Sequence, residues 1–245
     1  MGIFNLLLDL IYPQLQRCIH CGRLLKEREI SGICNHCLND FNFVEDYCHI
    51  CGKLITPISS GKGYRKPIFN ENNFLICQNC FNNNYYFDKS RSVAIYEGLL
   101  RDLIIDFKYN GKTFLADSLG ELLYYSYLDF YKNSSIDFLL PIPLHRQRLQ
   151  KRKYNQAELL ARKIGDLIKI PLLQDYILRI RNNPPLYDFS LSQRQKMLAD
   201  IFVINRNLDI TGKVILIIDD IFTTGSTVNQ ASKVLKTEAG VKKVY

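Results

Sequence analysis

The 245-residue chain contains no run of about 20 consecutive apolar residues, which excludes a membrane-spanning helix. Its first 17 residues lack the basic start, long apolar run and small-residue cleavage site of a secretory signal. A short apolar run at residues 3–11 favours a helix that docks on the protein body over a membrane or partner anchor. We therefore expect a soluble, cytoplasmic protein.

Cysteine is absent after residue 80, and all eight cysteines occur in four pairs with CxxC spacing. The pairs are Cys18/Cys21, Cys34/Cys37, Cys48/Cys51 and Cys77/Cys80. Two such turns supply the four thiolates of a tetrahedral site, so the pattern predicts two structural zinc ions. Consecutive pairs sharing one ion form the simplest ligand set, and an interleaved set stays open. Disulfides would need an oxidising compartment, and a redox CxxC usually occurs singly, which leaves an iron–sulfur cluster as the remaining alternative.

A small metal-binding domain is predicted over residues 1–85. A segment of this size buries little core by itself, and bound zinc supplies folding free energy. Residues 56–76 have few apolar positions and are predicted to be an exposed insertion. His20, His36 and His49 lie beside the cysteines and are interpreted as loop residues, because four complete cysteine pairs need no histidine ligand.

Residues 214–227 read VILIIDDIFTTGST and are the most informative stretch of the chain. Five branched apolar residues predict a buried strand, and Asp219 and Asp220 follow at its carboxyl end. A loop rich in hydroxyl groups comes next, and then a helical pattern starts. This loop comprises Thr223, Thr224, Gly225, Ser226 and Thr227. Backbone N–H groups and the helix dipole favour a phosphate at such a loop, and the two carboxylates suit ribose hydroxyls and Mg²⁺. A Walker phosphate loop is disfavoured, because no Gly-Lys-Ser/Thr sequence closes this turn.

The pattern from residue 86 onward alternates between helices and strands. Helical periodicity covers residues 97–107, 113–131 and 155–168, with Asn155 and Glu158 expected to cap the last of these helices. Strands are expected at 136–142, near Phe202 and Val214, and at Val241. This alternation predicts an α/β domain over residues 86–245 with a parallel sheet flanked by helices. Ligands of such folds bind at the carboxyl ends of the strands, so the loops at 141–155 and 219–227 should share one edge.

The 141–155 segment is strongly basic and is expected to be a loop. Five cations fall within eight residues, namely Arg146, Arg148, Lys151, Arg152 and Lys153. Residues 86–245 carry 24 basic and 17 acidic side chains, so most of the net charge of +8 belongs to this part of the chain. Arginine forks suit pyrophosphate oxygens, and the same cluster suits a nucleic-acid backbone. A solvated basic loop is the alternative.

These pieces together resemble the ComF family, the competence-associated phosphoribosyltransferase-like proteins with an N-terminal double zinc ribbon. The resemblance extends over nearly the whole chain. It includes the CxxCG knuckles, YEGLLRDLIIDFKYNGK (96–112), LLPIPLHRQRLQKRKYNQAELLA (139–161), the Pro-Pro segment at 184–185, SLSQRQKMLADIF (190–202) and the acidic-pair motif. The chain departs from the family pattern at Lys153 and Tyr154, at Leu186 and at Met197, and it stops at the start of a strand that the family usually completes.

The resemblance implies a type I phosphoribosyltransferase fold that binds 5-phosphoribosyl-1-pyrophosphate (PRPP) with magnesium at 219–227. Asp219 and Asp220 would hold the ribose and would be the catalytic residues, and residues 223–227 would hold the 5-phosphate. Arg146, Arg148 and Lys108 would contact the pyrophosphate, with Arg152 in the same substrate-binding set. The resemblance also implies a role with single-stranded DNA in natural transformation, at the inner face of the membrane beside an ATP-driven helicase.

Three functions follow from this set of residues. The first is a PRPP-binding protein of DNA uptake. The second is an active phosphoribosyltransferase acting on a small acceptor, and the third is a non-catalytic PRPP sensor. Whether the chain is an enzyme stays open at this point, because no residue stands out as a general base or as an acceptor contact.

Overall fold

The computed structural model describes residues 17–25, 32–55, 68–182, 200–205 and 208–245. The expectations for the apolar run at 3–11, for most of the 56–76 insertion, and for Leu186 and Met197 lie outside the described residues. Within them, the helices are α1 (Asn35–Leu38), α2 (Gln78–Asn82), α3 (Gly98–Tyr109), α4 (Leu115–Phe130), α5 (Arg146–Arg152), α6 (Gln156–Ile168) and α7 (Ser226–Glu238). The strands are β1 (Ile68–Phe69), β2 (Leu75–Ile76), β3 (Phe138–Pro141), β4 (Ile177–Arg179), β5 (Phe202–Ile204), β6 (Val214–Ile218) and β7 (Lys243–Val244).

A parallel three-stranded sheet in the order β3-β6-β7 forms the centre of the protein. Strand β6 is apolar throughout and nearly all buried, as expected for a strand covered on both faces. Pro141, the last residue of β3, lies opposite Ile218, the last residue of β6. The two loops that follow therefore leave the sheet at the same level, which is the shared edge that the sequence predicts.

The helices flank this sheet as their periodicity predicts. In α6 the buried side is formed by residues spaced three or four apart, including Ala157, Leu160 and Ile164. The Asn155 side chain caps this helix by accepting a hydrogen bond from the Ala157 N–H at 3.2 Å. The expected capping role of Glu158 is wrong, because its carboxylate accepts hydrogen bonds from Arg162 and Gln174 instead.

The cysteine-rich part packs directly on the α/β body. Ile33 and Phe41 are buried in one apolar core with the inner sides of α3 and α4. Ile76, at the end of the antiparallel β1–β2 hairpin, is buried in a second core with Leu140 of β3. The protein is thus a mixed α/β structure preceded by a cysteine-rich region, and the division at residues 85/86 stays a prediction.

Two elements differ from the sequence-based expectation. The strand near Phe202 does not join the parallel sheet, because β5 pairs with β4 in a separate antiparallel ribbon. The basic segment is not a simple loop, because residues 146–152 form α5, which His145 caps by accepting a hydrogen bond from the Gln147 N–H. Among the described helices, none combines the length and apolar character that crossing a bilayer requires.

Candidate functional site

The eight cysteines form two compact groups of four. Cys18, Cys21, Cys34 and Cys37 form the first, and Cys48, Cys51, Cys77 and Cys80 form the second. This is the consecutive arrangement and not the interleaved one. Sulfur atoms of different pairs lie 3.6–3.8 Å apart. A tetrahedron with Zn–S bonds of about 2.3 Å has sulfurs about 3.8 Å apart, so both groups fit zinc. Backbone N–H groups of Cys34 and Cys77 point at the Sγ atoms of Cys18 and Cys48, as metal-bound thiolates require.

The acidic pair at the end of β6 has one cationic partner among the described ion pairs. Lys108 Nζ, near the end of α3, lies 2.9 Å from Asp220 Oδ2, and both side chains are nearly buried, at 13% and 11% exposure. The Asp220 backbone N–H donates to Asp219 Oδ1 at 2.9 Å. Burial and the neighbouring Asp220 carboxylate raise the pKa of Asp219 to about 7, against the opposing effect of Lys108. Lys108 is therefore at the site, where it balances one of the two carboxylates.

The 223–227 loop turns directly into α7. Gly225 adopts φ +76° just before the helix, and a Cβ there would lie 2.6 Å from the Phe222 ring. Both facts favour glycine at this position. The hydroxyls of Thr224 and Ser226 hydrogen-bond each other at 2.7 Å, and the Ser226 N–H, at the start of α7, donates to Thr224 Oγ1 at 3.4 Å. First-turn N–H groups have no partner within their helix, so hydroxyl and amide donors converge at the helix N-terminus.

Helix α5 divides the predicted basic residues into two sets. Arg146, Lys151 and Lys153 are exposed to solvent, whereas Arg148 and Arg152 are partly buried. Arg148 Nε donates to Asn182 Oδ1 at 3.0 Å. The Arg152 guanidinium stacks on the Tyr109 ring at 4.8 Å and donates to Gln156 Oε1 at 3.0 Å. The inner pair thus lies near the sheet edge, and the outer three form a basic surface.

Arg179, at the end of β4, is a site residue that the sequence reasoning missed. Burial and the neighbouring Arg148 cation lower its pKa, and Asp219 opposes this effect. Arg179 therefore lies within electrostatic reach of both the acidic pair and α5. The sequence offered little signal, because this arginine stands outside the basic cluster and its strand is only three residues long.

A cavity of about 410 Å³ adjoins the acidic pair. Aliphatic and aromatic side chains of α3 and α4 form one wall, including Leu100, Phe107 and Leu122. Residues 52–54 of the second cysteine group and residues 91–96 form another wall, and residues 219–223 close the end. This volume lies within the range of small-molecule sites, which are mostly apolar with a few polar groups.

The edge of the sheet therefore combines three chemical features. Two carboxylates suit a divalent cation or sugar hydroxyls, a hydroxyl-rich loop at a helix N-terminus suits a phosphate, and partly buried arginines suit further phosphate oxygens. Such an arrangement can bind a phosphorylated sugar.

Comparison with known proteins finds relatives along most of the chain. Residues 7–81 match the double zinc ribbon domain family. Competence protein F of Haemophilus influenzae is 27% identical over 233 residues, which is 93% of either chain. DNA utilization protein YhgH of Escherichia coli K12 is 24% identical over 83% of this chain and 84% of its own length. Competence protein ComFC of Bacillus subtilis is 23% identical over 78% of both. The resemblance stated from the sequence motifs is confirmed.

Proposed function

We propose that this chain, a homologue of Competence protein F and ComFC with an N-terminal double zinc ribbon, binds PRPP with Mg²⁺ and acts on single-stranded DNA during its uptake. The proposal includes a cytoplasmic location at the inner face of the membrane, beside an ATP-driven helicase. Zinc holds the ribbons in their folded form, and PRPP occupies the carboxyl edge of the parallel sheet.

The order of groups along β6, its loop and α7 is the observation that carries PRPP binding. A buried strand ends in two carboxylates, a left-handed glycine then turns the chain, and hydroxyls converge at a helix N-terminus. PRPP presents a ribose with two hydroxyls, a 5-phosphate and a diphosphate. The carboxylates match the hydroxyls, and the loop matches the 5-phosphate.

Mg²⁺ fits the same edge by its ligand chemistry. It prefers carboxylate and phosphate oxygens and usually binds through one or two carboxylates plus substrate phosphates. Asp219 and Asp220 are the carboxylates of this edge, and a second cation beside Lys108 would relieve their mutual repulsion. When bound, Mg²⁺ supplies charge neutralisation for the diphosphate.

Binding of single-stranded DNA is supported by the outer surface of α5. Arg146, Lys151 and Lys153 are exposed there, next to the edge of the sheet where PRPP is proposed to bind. Two of the relatives are named competence proteins and one a DNA utilization protein. Cations on an exposed face bind a nucleic-acid backbone without regard to sequence.

Calorimetric titration of Mg²⁺–PRPP tests the sugar-phosphate site. The wild-type protein should bind with one site per chain, and Asp219→Asn/Asp220→Asn should abolish the heat. Asp209→Asn is the matched control, because Asp209 is exposed and hydrogen-bonds its own turn. Equal binding by wild type and the double variant would refute PRPP binding at this edge.

Salt titration of single-stranded oligonucleotide binding tests the DNA surface. Each phosphate contact contributes about −0.7 to the slope of log K against log salt, so Arg146→Gln/Lys151→Gln should make the slope about 1.4 less negative. The control is Lys132→Gln/Lys242→Gln, which removes two exposed cations that precede β3 and β7 at the opposite edge of the sheet. The same change of slope in both variants would show that the α5 cations have no specific role in binding single-stranded DNA.

An active phosphoribosyltransferase is a second candidate, favoured by the apolar cavity beside the acidic pair. In this reaction a bond forms between the acceptor nitrogen and C1 of PRPP. The C1–O bond to pyrophosphate breaks, and the acceptor proton leaves to solvent. Pyrophosphate release should then depend on one compound in a panel of nucleobases, ammonia and single-stranded DNA. No release with any acceptor, together with intact PRPP binding, would reject the transferase and keep the binding protein.

A further inference from the structure

We infer that Arg179, together with Arg148, binds the diphosphate of PRPP and determines that the site selects PRPP over ribose 5-phosphate. The inference rests on the proposed function, since it assigns a residue to one part of that ligand. It concerns a strand that lies outside the central sheet and outside the basic segment.

The chain path brings Arg179 to the carboxyl edge. Leu172 pairs in parallel with Leu139 of β3, on the side of β3 that faces away from β6. The Leu139 N–H donates to the Pro171 carbonyl at 2.9 Å, and the Leu173 N–H donates to the Leu139 carbonyl at 2.8 Å. This segment therefore runs in the same direction as β3, and a turn at residues 174–175 then leads into β4. Pro141 and Pro143 line one small pocket with Asp175 and Ile177, so β4 starts beside the carboxyl end of β3.

Asn182 attaches the end of β4 to α5. Its Oδ1 accepts a hydrogen bond from Arg148 Nε at 3.0 Å, and its Nδ2 donates to Gln147 Oε1 at 2.7 Å. Residues 179–182 are thereby held against the helix that carries Arg148. The order across the edge is β4, then α5 and the loop after β3, then the acidic pair and the phosphate-binding loop.

Arg179 has no direct anionic partner among the ion pairs of the described residues. Its Nε donates to the Arg181 carbonyl at 3.4 Å, and its guanidinium lies 6.0 Å from the Phe202 ring. An arginine stays charged at any physiological pH, so the partial burial of Arg179 near a second arginine is unfavourable until an anion binds.

The diphosphate is the part of PRPP that suits this place. The 5-phosphate is assigned to the loop before α7, and the ribose to the carboxylates, which leaves the diphosphate for the β4 and α5 side. Guanidinium forks bind phosphate oxygens in pairs, and a diphosphate offers enough oxygens for two forks. Asp219, which is proposed to hold the ribose, acts electrostatically on Arg179, as expected if the ribose and the diphosphate bind close together.

Three ligands distinguish the diphosphate contact from the rest of the site: Mg²⁺–PRPP, ribose 5-phosphate and inorganic pyrophosphate. Arg179→Gln should weaken Mg²⁺–PRPP and pyrophosphate about 10- to 100-fold, which is the effect of one charged hydrogen-bond pair. Binding of ribose 5-phosphate should change less than about twofold, because it lacks the diphosphate. Arg179→Lys keeps the charge but loses the fork, so it should fall between wild type and Arg179→Gln.

Arg181→Gln is the matched control, because Arg181 is exposed and lies two residues further along the same segment. It should bind all three ligands like wild type. Circular dichroism and zinc content should be the same for all variants, which verifies folding.

The outcomes separate this inference from the proposed function. Equal binding of PRPP by wild type and Arg179→Gln overturns the inference alone, as does an equal loss of ribose 5-phosphate and PRPP. Pyrophosphate binding that depends on Arg179, without PRPP binding, overturns the proposed function and keeps the anion site. A wild-type protein that binds neither PRPP nor pyrophosphate overturns both.

Discussion

Removal of the Lys108 cation tests whether the acidic pair is held by a buried charge balance. Lys108 and Asp220 form a 2.9 Å ion pair with side chains that are 13% and 11% exposed, and Asp219 adds a second carboxylate beside it. Removing one partner of a buried pair costs about 3–5 kcal/mol, because the other charge stays buried without compensation. We therefore expect Lys108→Met to lower the free energy of unfolding by about 3 kcal/mol at pH 8.

Urea unfolding followed by circular dichroism, with zinc present, measures this loss. The matched control is Lys112→Met, whose ion pair with Asp106 is 2.7 Å long but has side chains 47% and 27% exposed. A surface pair contributes about 0–1 kcal/mol, so the control should lose about 0.5 kcal/mol. Lys108→Met/Asp220→Asn should recover most of the stability, because the variant contains no unpaired Asp220 charge.

The effect should also depend on pH in a definite direction. The pKa of Asp219 is raised above its ordinary value, so this carboxyl group takes up a proton as the pH falls through about 7. Protonation removes one of the two negative charges, and the loss caused by Lys108→Met should be smaller at pH 6 than at pH 8. Equal small losses for Lys108→Met and Lys112→Met, or a double variant no more stable than Lys108→Met, would refute the charge-balance argument.

Three further predictions concern the metal sites, the phosphate-binding loop and the acidic pair. Metal analysis should find two zinc ions per chain, and a strong chelator should unfold the zinc ribbons. Fewer than one zinc ion per chain in the purified protein would contradict the Cys₄ sites. Gly225→Ala should lower the free energy of unfolding by more than about 1 kcal/mol and weaken Mg²⁺–PRPP binding, because φ is +76° and the new Cβ meets Phe222. A variant that unfolds at the same temperature as the wild type would rule out this strain. Mg²⁺–PRPP affinity should rise between pH 6.5 and pH 8, because Asp219, whose pKa is raised to about 7, loses its proton in this range. An affinity measured by calorimetry that does not change with pH would be inconsistent with the Asp219 carboxylate as a ligand.

Patterns with a strong physical signal were predictable from the sequence. The branched apolar run of β6, the apolar side of α6 and the CxxC spacing each reflect one dominant requirement, which is burial or metal geometry. The adjacency of the loops after β3 and β6 followed from the direction of parallel strands. The CxxC spacing left two groupings of the zinc ligands open, consecutive and interleaved, and the structure has the consecutive one.

The elements that were not predicted depend on tertiary contacts. Helix α5 reads RQRLQKR and has no apolar side, so its capping residue His145 and its contact with Asn182 decide its conformation. Strands β4 and β5 are three residues long, too short for their sequence to indicate an antiparallel partner. Arg179 was missed for the same reason, because only the fold brings it near Arg148 and Asp219.

A crystal structure of the protein with Mg²⁺ and PRPP is the most direct test of the central claim. The account predicts the 5-phosphate at residues 223–227, the ribose hydroxyls at Asp219 and Asp220, and the diphosphate on the side of α5 and β4. PRPP bound elsewhere on the protein, or no PRPP at a concentration that saturates binding in solution, would contradict it.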